Sequence, residues 1–258
     1  MATRVGDILK RRALESFVGR KDEKAALLRI LEENGPLVVF VHGIAGIGKS
    51  SLLEAFSEEA RAHGAMVVRL DCRSIEPTER GFFHELGTAI GNEVGTPDEA
   101  AERLGRLGKR VVLVLDTYEV FRLMDTWLRQ VFIPSLPDNV RVVLCGREAP
   151  VSAWRTSQEW ERLFHSIPLG PLTDEDAFEL LSYVGVKGEH ARRINRLAHG
   201  VPLALRLVSS ALTERLAVSL EQAAIQQVVE ELTRLYLSDV PDPLTRKVLE
   251  AASVIRCA

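Results

Sequence analysis

Residues 39–56 read VFVHGIAGIGKSSLLEAF. Within them Gly43-Ile44-Ala45-Gly46-Ile47-Gly48-Lys49-Ser50 fits G-x-x-x-x-G-K-[ST], with an apolar run before it and a periodic, amphipathic run after it. Glycine at 43, 46 and 48 lets successive backbone N–H groups turn inward around an anion. The helix that follows adds the positive end of its dipole. In such a loop Lys49 reaches the β- and γ-phosphates, Ser50 offers its hydroxyl oxygen to Mg²⁺, and Ser51 extends the cradle. The chemistry on offer is the grip of a polyphosphate.

A magnesium-bound phosphate needs a carboxylate at the end of a nearby strand. The stretch VVLVLDTYE supplies Asp116 after a wholly apolar run, where an unpaired carboxylate is costly. Asp116 therefore reads as the metal-orienting aspartate; its other reading is the N-cap of a helix over 118–132. Three residues on, Glu119 is either a general base for an attacking water or a first-turn glutamate favoured by the helix dipole. Many hydrolytic sites of this kind place the acid directly after the aspartate. Here that position is Thr117, which argues against fast hydrolysis. Arg147, in RVVLCGREAP, is placed to read a third phosphate through bidentate hydrogen bonds, or else is a surface loop arginine.

These residues need a scaffold. Five β-rich runs stand at 37–42, 66–71, 111–116, 140–145 and 165–169, and the middle ones are almost continuously apolar. That is how parallel strands buried on both faces read. Helical patterns lie between them at 49–62, 79–92, 98–107 and 118–132. The alternation predicts an α/β domain with a parallel sheet and right-handed crossovers. After Pro171 the pattern becomes almost wholly helical. Thr173 reads as an N-cap, Gly200 as the residue past a helix end, and Pro202 as the first turn of the next helix. Further helices are expected at 222–237 and 243–255. Trp154, Trp160 and Phe164 read as core or domain-contact aromatics, with Trp154 and Phe164 on one helical face.

Composition narrows the classes. The chain has 258 residues, 46% of them apolar and 27% charged, which suits one large or two modest globular domains. A net charge of −3 gives no general attraction to nucleic acid, so no direct nucleic-acid contact is expected from this segment. Three widely spaced cysteines, Cys72, Cys145 and Cys257, form no zinc-ligand spacing and point to a reducing, cytoplasmic setting. Neither a secretory leader nor a membrane-length apolar run is visible. The sequence stops at VLEAASVIRCA, inside an apolar helical pattern, which suggests a fragment of a longer protein with output domains beyond it.

The order FVGRKDE, phosphate loop, VVLVLDTYE, VVLCGRE, HGVPLAL resembles the nucleotide-binding core of STAND-type signal-transduction ATPases, relatives of the AAA+ and NB-ARC proteins. LDTYEVF and CGREAP look closest to bacterial multidomain regulators of the large LuxR type. The resemblance implies a five-stranded parallel sheet in the order 5-1-4-3-2, a helical lid, and then the start of a winged-helix module. It implies that Val18, Gly19 and Arg20 line the adenine side, that Arg147 is the sensor 1 residue, and that Pro202 touches base or ribose. It divides the chain into an N-terminal segment 1–15, a P-loop domain 16–170, a lid 171–225 and a truncated winged helix 226–258.

The expected activity is an ATP/ADP switch with slow, Mg²⁺-dependent hydrolysis and nucleotide-dependent self-association. ADP would hold a closed state and ATP, through Arg147, an open one. The rivals are an AAA+ motor with steady turnover, a small-molecule kinase whose lid uses Arg192, Arg193 and Arg196, and a nucleotide-free scaffold, which intact Lys49 and Ser50 disfavour.

Overall fold

The computed structural model describes residues 5–213. Two compact units divide the chain: Met1–Ile44 with Lys49–Gly170, and Ala45–Gly48 with Pro171–Ala258. The helices expected at 222–237 and 243–255, and the winged-helix segment, lie outside the described residues.

The first unit opens with α1 (Val5–Glu15) and α2 (Lys21–Leu28). There follow β1 (Val38–His42), α3 (Lys49–Ala62), β2 (Met66–Asp71), α4 (Glu79–Ile90), α5 (Pro97–Gly105) and β3 (Val111–Asp116). The strands are short and rich in Val and Leu, the composition that suits a sheet covered on both faces. Side chains capping helix starts set the ends: Thr78 accepts from Gly81 N before α4, and Thr96 accepts from Glu99 N before α5, where Pro97 fills the first position.

The stretch after β3 differs from the single long helix expected over 118–132. It is a 3₁₀ turn Tyr118–Met124, α6 (Asp125–Trp127), a π-helical Leu128–Phe132 and α7 (Ile133–Ser135). Two physical features account for this. Tyr118, Phe121 and Met124 are buried at a spacing of three, which lines up on a 3₁₀ helix and drifts on an α-helix. Pro134 has no N–H and its ring crowds the carbonyl four residues back, so the chain widens into a π turn just before it.

The first unit closes with β4 (Val140–Gly146), α8 (Ala153–Thr156) and β5 (Phe164–Pro168). All strands are parallel, in the order β2-β3-β4-β1-β5, as expected. Register aligns their C-terminal ends: Asp71 beside Asp116, Asp116 beside Cys145, His42 beside Gly146 and beside Pro168. The residues that could do chemistry thus share one edge of the sheet, where open α/β sheets place ligands. One face of the sheet, from Val38, Phe40, Leu113 and Leu144, packs with Phe82, Leu86, Leu104, Phe121 and Phe132. Trp154, Trp160 and Phe164 join that core, but Phe164 sits on β5 and stacks on Trp154 with ring centroids 5.1 Å apart.

In the second unit α9 (Asp174–Tyr183), α10 (Gly188–Ala198) and α11 (Pro202–Thr213) pack on one another. Thr173 caps α9 by accepting from Asp176 N, and Asn195 of α10 donates to Asp174 Oδ1 at 2.7 Å. Gly200, at φ 71°, brings its carbonyl to Leu172 N at 2.9 Å; a Cβ there would lie 2.6 Å from the Leu172 carbonyl oxygen, so glycine is required. Among the described residues no helix is long and apolar enough to cross a membrane.

Candidate functional site

β1 ends at His42, and residues 43–48 carry the chain to Lys49 at the start of α3. Gly46, at φ 73°, lies in the left-handed region. In the second unit its carbonyl accepts from Leu203 N at 3.2 Å, and a Cβ on it would fall 2.7 Å from Leu203 Cβ. Pro202 Cγ of the same unit lies 3.7 Å from where a Cβ on Gly48 would be. Both the turn and the close approach therefore demand the absence of a side chain at Gly46.

Lys49 folds back along its own loop, with Nζ donating to Gly43 O at 2.7 Å and to Ile44 O at 3.0 Å. Burial pushes its pKa below the usual lysine value; Arg147 adds to this and the Glu119 and Asp116 carboxylates oppose it. At the end of β1, His42 Nε2 lies 3.2 Å from Ser166 Oγ. Burial, then Arg155 and Lys49, lower its pKa, which favours the neutral imidazole.

Asp116, buried at the end of β3, is surrounded by donors. Ser50 Oγ donates to Oδ2 at 3.4 Å, Arg69 Nη2 to the same oxygen at 2.6 Å, and Thr117 N to Oδ1 at 2.9 Å. Arg69 also donates through Nη1 to Glu54 Oε2 at 2.8 Å. Thr117 takes a left-handed conformation, φ 58°, which turns the chain sharply away from the strand. That turn delivers Glu119 to the end of β4, where its carboxylate receives Arg147 N at 3.2 Å and pairs with Arg147 Nε at 3.0 Å. Gly146 admits it: a Cβ there would lie 3.1 Å from Glu119 Oε2.

The structure thus gathers Lys49, Ser50, Asp116, Glu119 and Arg147 at one end of the sheet. Arg20 bonds to the chain just past β5, whose last residue Pro168 stands in register with His42. Arg20, in a left-handed conformation at φ 56°, donates to the carbonyl of Gly170 at 2.5 Å and to Glu23 at 2.8 Å, with Val18 buried beside it in sequence. Arg192 and Arg196 of α10 are exposed and both pair with Glu189. Sequence reasoning missed Arg69 and Glu54. The available signal was an arginine within VVRLD, a charge inside an otherwise strand-like apolar run, and a glutamate one helical turn after Ser50.

Ser50 and Asp116 present hard oxygen atoms close together, the donor type that suits Mg²⁺. Among the described residues no three His, Cys, Asp or Glu side chains gather to cage a metal by themselves. A cation here would take its other ligands from phosphate and water.

The profile of the AAA ATPase domain matches residues 16–238. No curated protein sequence matches the chain. Among solved structures, the Walker-type ATPase of Pyrococcus abyssi is 16% identical with a TM-score of 0.65, covering 92% of this chain and 76% of that one. The Aeropyrum pernix ORC1 protein in complex with DNA is 17% identical, TM-score 0.61, covering 86% and 68%. The replication initiator DnaA bound to AMPPCP and single-stranded DNA is 15% identical, TM-score 0.55, covering 89% and 75%. At these identities the likeness concerns the fold. The match to the domain profile spans most of the sequence, and with Lys49, Ser50 and Asp116 gathered at one end of the sheet it leads to one conclusion: the chain belongs to the AAA ATPase domain family.

Proposed function

We propose that this domain is an ATP/ADP-binding switch of the STAND type, the nucleotide module of a signalling or transcription regulator, with slow Mg²⁺-dependent hydrolysis. The observation that carries this reading is the grip between Arg147 and Glu119. The residue suited to read a third phosphate and the residue suited to activate water hold each other, through both the Arg147 N–H and its guanidinium. A triphosphate competes with Glu119 for Arg147, and a diphosphate does not. ATP and ADP then favour different arrangements of the same site through differential affinity. Engaged in this way, Glu119 is held off from general-base work, which suits slow turnover.

On this reading the amides of 43–48 with Lys49, Ser50 and Ser51 bind the phosphates. Ser50 and Asp116 are the residues that would hold Mg²⁺, which when bound neutralises charge on the phosphate oxygens. Val18, Gly19 and Arg20 line the adenine, and Pro202 contributes from a lid spanning 171–225. Self-association accompanies the ATP state. The net charge of −3 argues that DNA, present in the ORC1 and DnaA structures, is not contacted by this segment.

The test combines two measurements on one preparation: mass analysis of co-purifying nucleotide and a multiple-turnover ATPase assay. Retained ADP with slow turnover supports the switch. Sustained turnover above about 1 s⁻¹, within the ordinary enzyme range, would overturn it in favour of a motor.

A further inference from the structure

Arg69 is the cation in direct contact with the buried Asp116 carboxylate. Its strand neighbours Val68 and Leu70 are buried in the sheet core, so alternation turns Arg69 to the other face. There it bridges two carboxylates on separate elements: Asp116 on β3 at 2.6 Å and Glu54 on α3 at 2.8 Å. The Asp116 oxygen it holds is the one that accepts from Ser50 Oγ. Arg69 therefore contacts the oxygen atom at which, on the reading above, a magnesium shell would be oriented.

We propose that Arg69 is a resident counter-cation that competes with Mg²⁺ for Asp116 and so sets the metal affinity of the nucleotide site. This inference rests on the nucleotide reading of the phosphate loop. A guanidinium and a divalent cation at one carboxylate repel each other over a few ångström, in a partly buried setting where the repulsion is weakly screened. Glu54 makes the exchange feasible. When Asp116 turns to the metal, Arg69 keeps a carboxylate partner and is not left as a half-buried, unpaired charge. Asp116 in turn keeps the Thr117 N–H on its other oxygen, so its orientation survives the exchange. The nucleotide and the metal thus become separable ligands: phosphate contacts through Lys49 and the loop amides do not require Arg69 to move, and metal binding does.

The test is a Mg²⁺ titration of ADP and ATP affinity by calorimetry, with Mn²⁺ binding followed by electron paramagnetic resonance, on the wild-type chain and three variants. Arg69→Gln should lower the Mg²⁺ and Mn²⁺ midpoints about tenfold by removing a like charge. Glu54→Gln should raise them, because it removes Arg69's alternative partner. Arg69→Lys, which keeps the charge, should stay within roughly threefold of wild type and guards against a folding defect in the neutral variant. An unchanged or raised midpoint in Arg69→Gln, with nucleotide still bound, overturns the role of Arg69 alone. Absence of ADP and ATP binding by the wild-type chain overturns the nucleotide reading itself, and this inference with it.

Discussion

Three arginine–carboxylate pairs have similar contact distances: Arg69–Asp116 at 2.6 Å, Arg147–Glu119 at 3.0 Å and Arg122–Glu148 at 2.8 Å. Distance does not distinguish their roles; setting does. The first pair joins two adjacent strands, with side-chain exposures of 28% and 11%. The second joins the turn after β3 to the end of β4, at 38% and 21%. The third stands in water, at 66% and 63%. Solvent and side-chain entropy erode an exposed pair, whereas a buried one is costly to break because a lone charge remains. The strand-borne pair is thus the costliest to part, unless another cation takes Arg69's place at Asp116; the turn-borne pair is the easier of the two for a ligand to open, and the surface pair is an incidental contact.

Predictions that bear on this ranking run from large to small. Lys49 responds electrostatically to both Glu119 and Asp116, and its loss should silence whatever the two inner pairs do. At a hundredfold excess over Kd, nucleotide should stabilise the wild-type fold by about 2.7 kcal/mol, and Lys49→Ala should remove most of that thermal shift. A full shift in the variant would break the phosphate assignment.

Asp116→Asn strips Arg69 of one of its two carboxylates. Without nucleotide it should cost about 1–2 kcal/mol in denaturant unfolding, less than a fully orphaned charge because Glu54 remains. A negligible cost would remove the distinction between the strand-borne pair and the surface pair.

Glu119→Gln addresses the openable pair. Stability should change by less than about 1 kcal/mol, since the pair is a third exposed on average and screened. Single-turnover hydrolysis should fall about a hundredfold if Glu119 serves as base once Arg147 has left it, with ATP affinity little altered. An unchanged rate would reduce Glu119 to a clamp on Arg147.

The surface pair sets the floor. Arg122→Ala should shift unfolding by no more than about 0.5 kcal/mol. A larger loss would show that exposure does not rank these pairs as argued.

Much of the scaffold was legible from local pattern. Five β-rich runs with helical intervals became five parallel strands, and the capping signals at Thr173 and Pro202 mark real helix starts. The segment 118–135 was not legible as it folds. Its apolar spacing mixes threes and fours, and a periodicity reading absorbs both into one α-helix. Phe164 likewise sits ten residues from Trp154, a separation that fits one helical face, yet the two stack from a strand and a short helix.

The local sequence by itself determined the glycine-rich turn between β1 and α3, because the glycine spacing, Lys49 and Ser50 lie within eight consecutive residues and need only a strand before them and a helix after. Tertiary structure alone decided the partners of the acids. Arg69 reaches Asp116 across 47 positions and Arg147 meets Glu119 across 28, separations that only strand register closes. A charge names no partner by its own sequence context; its partner is whichever opposite charge the sheet brings within reach, and burial then decides how firmly the two are held.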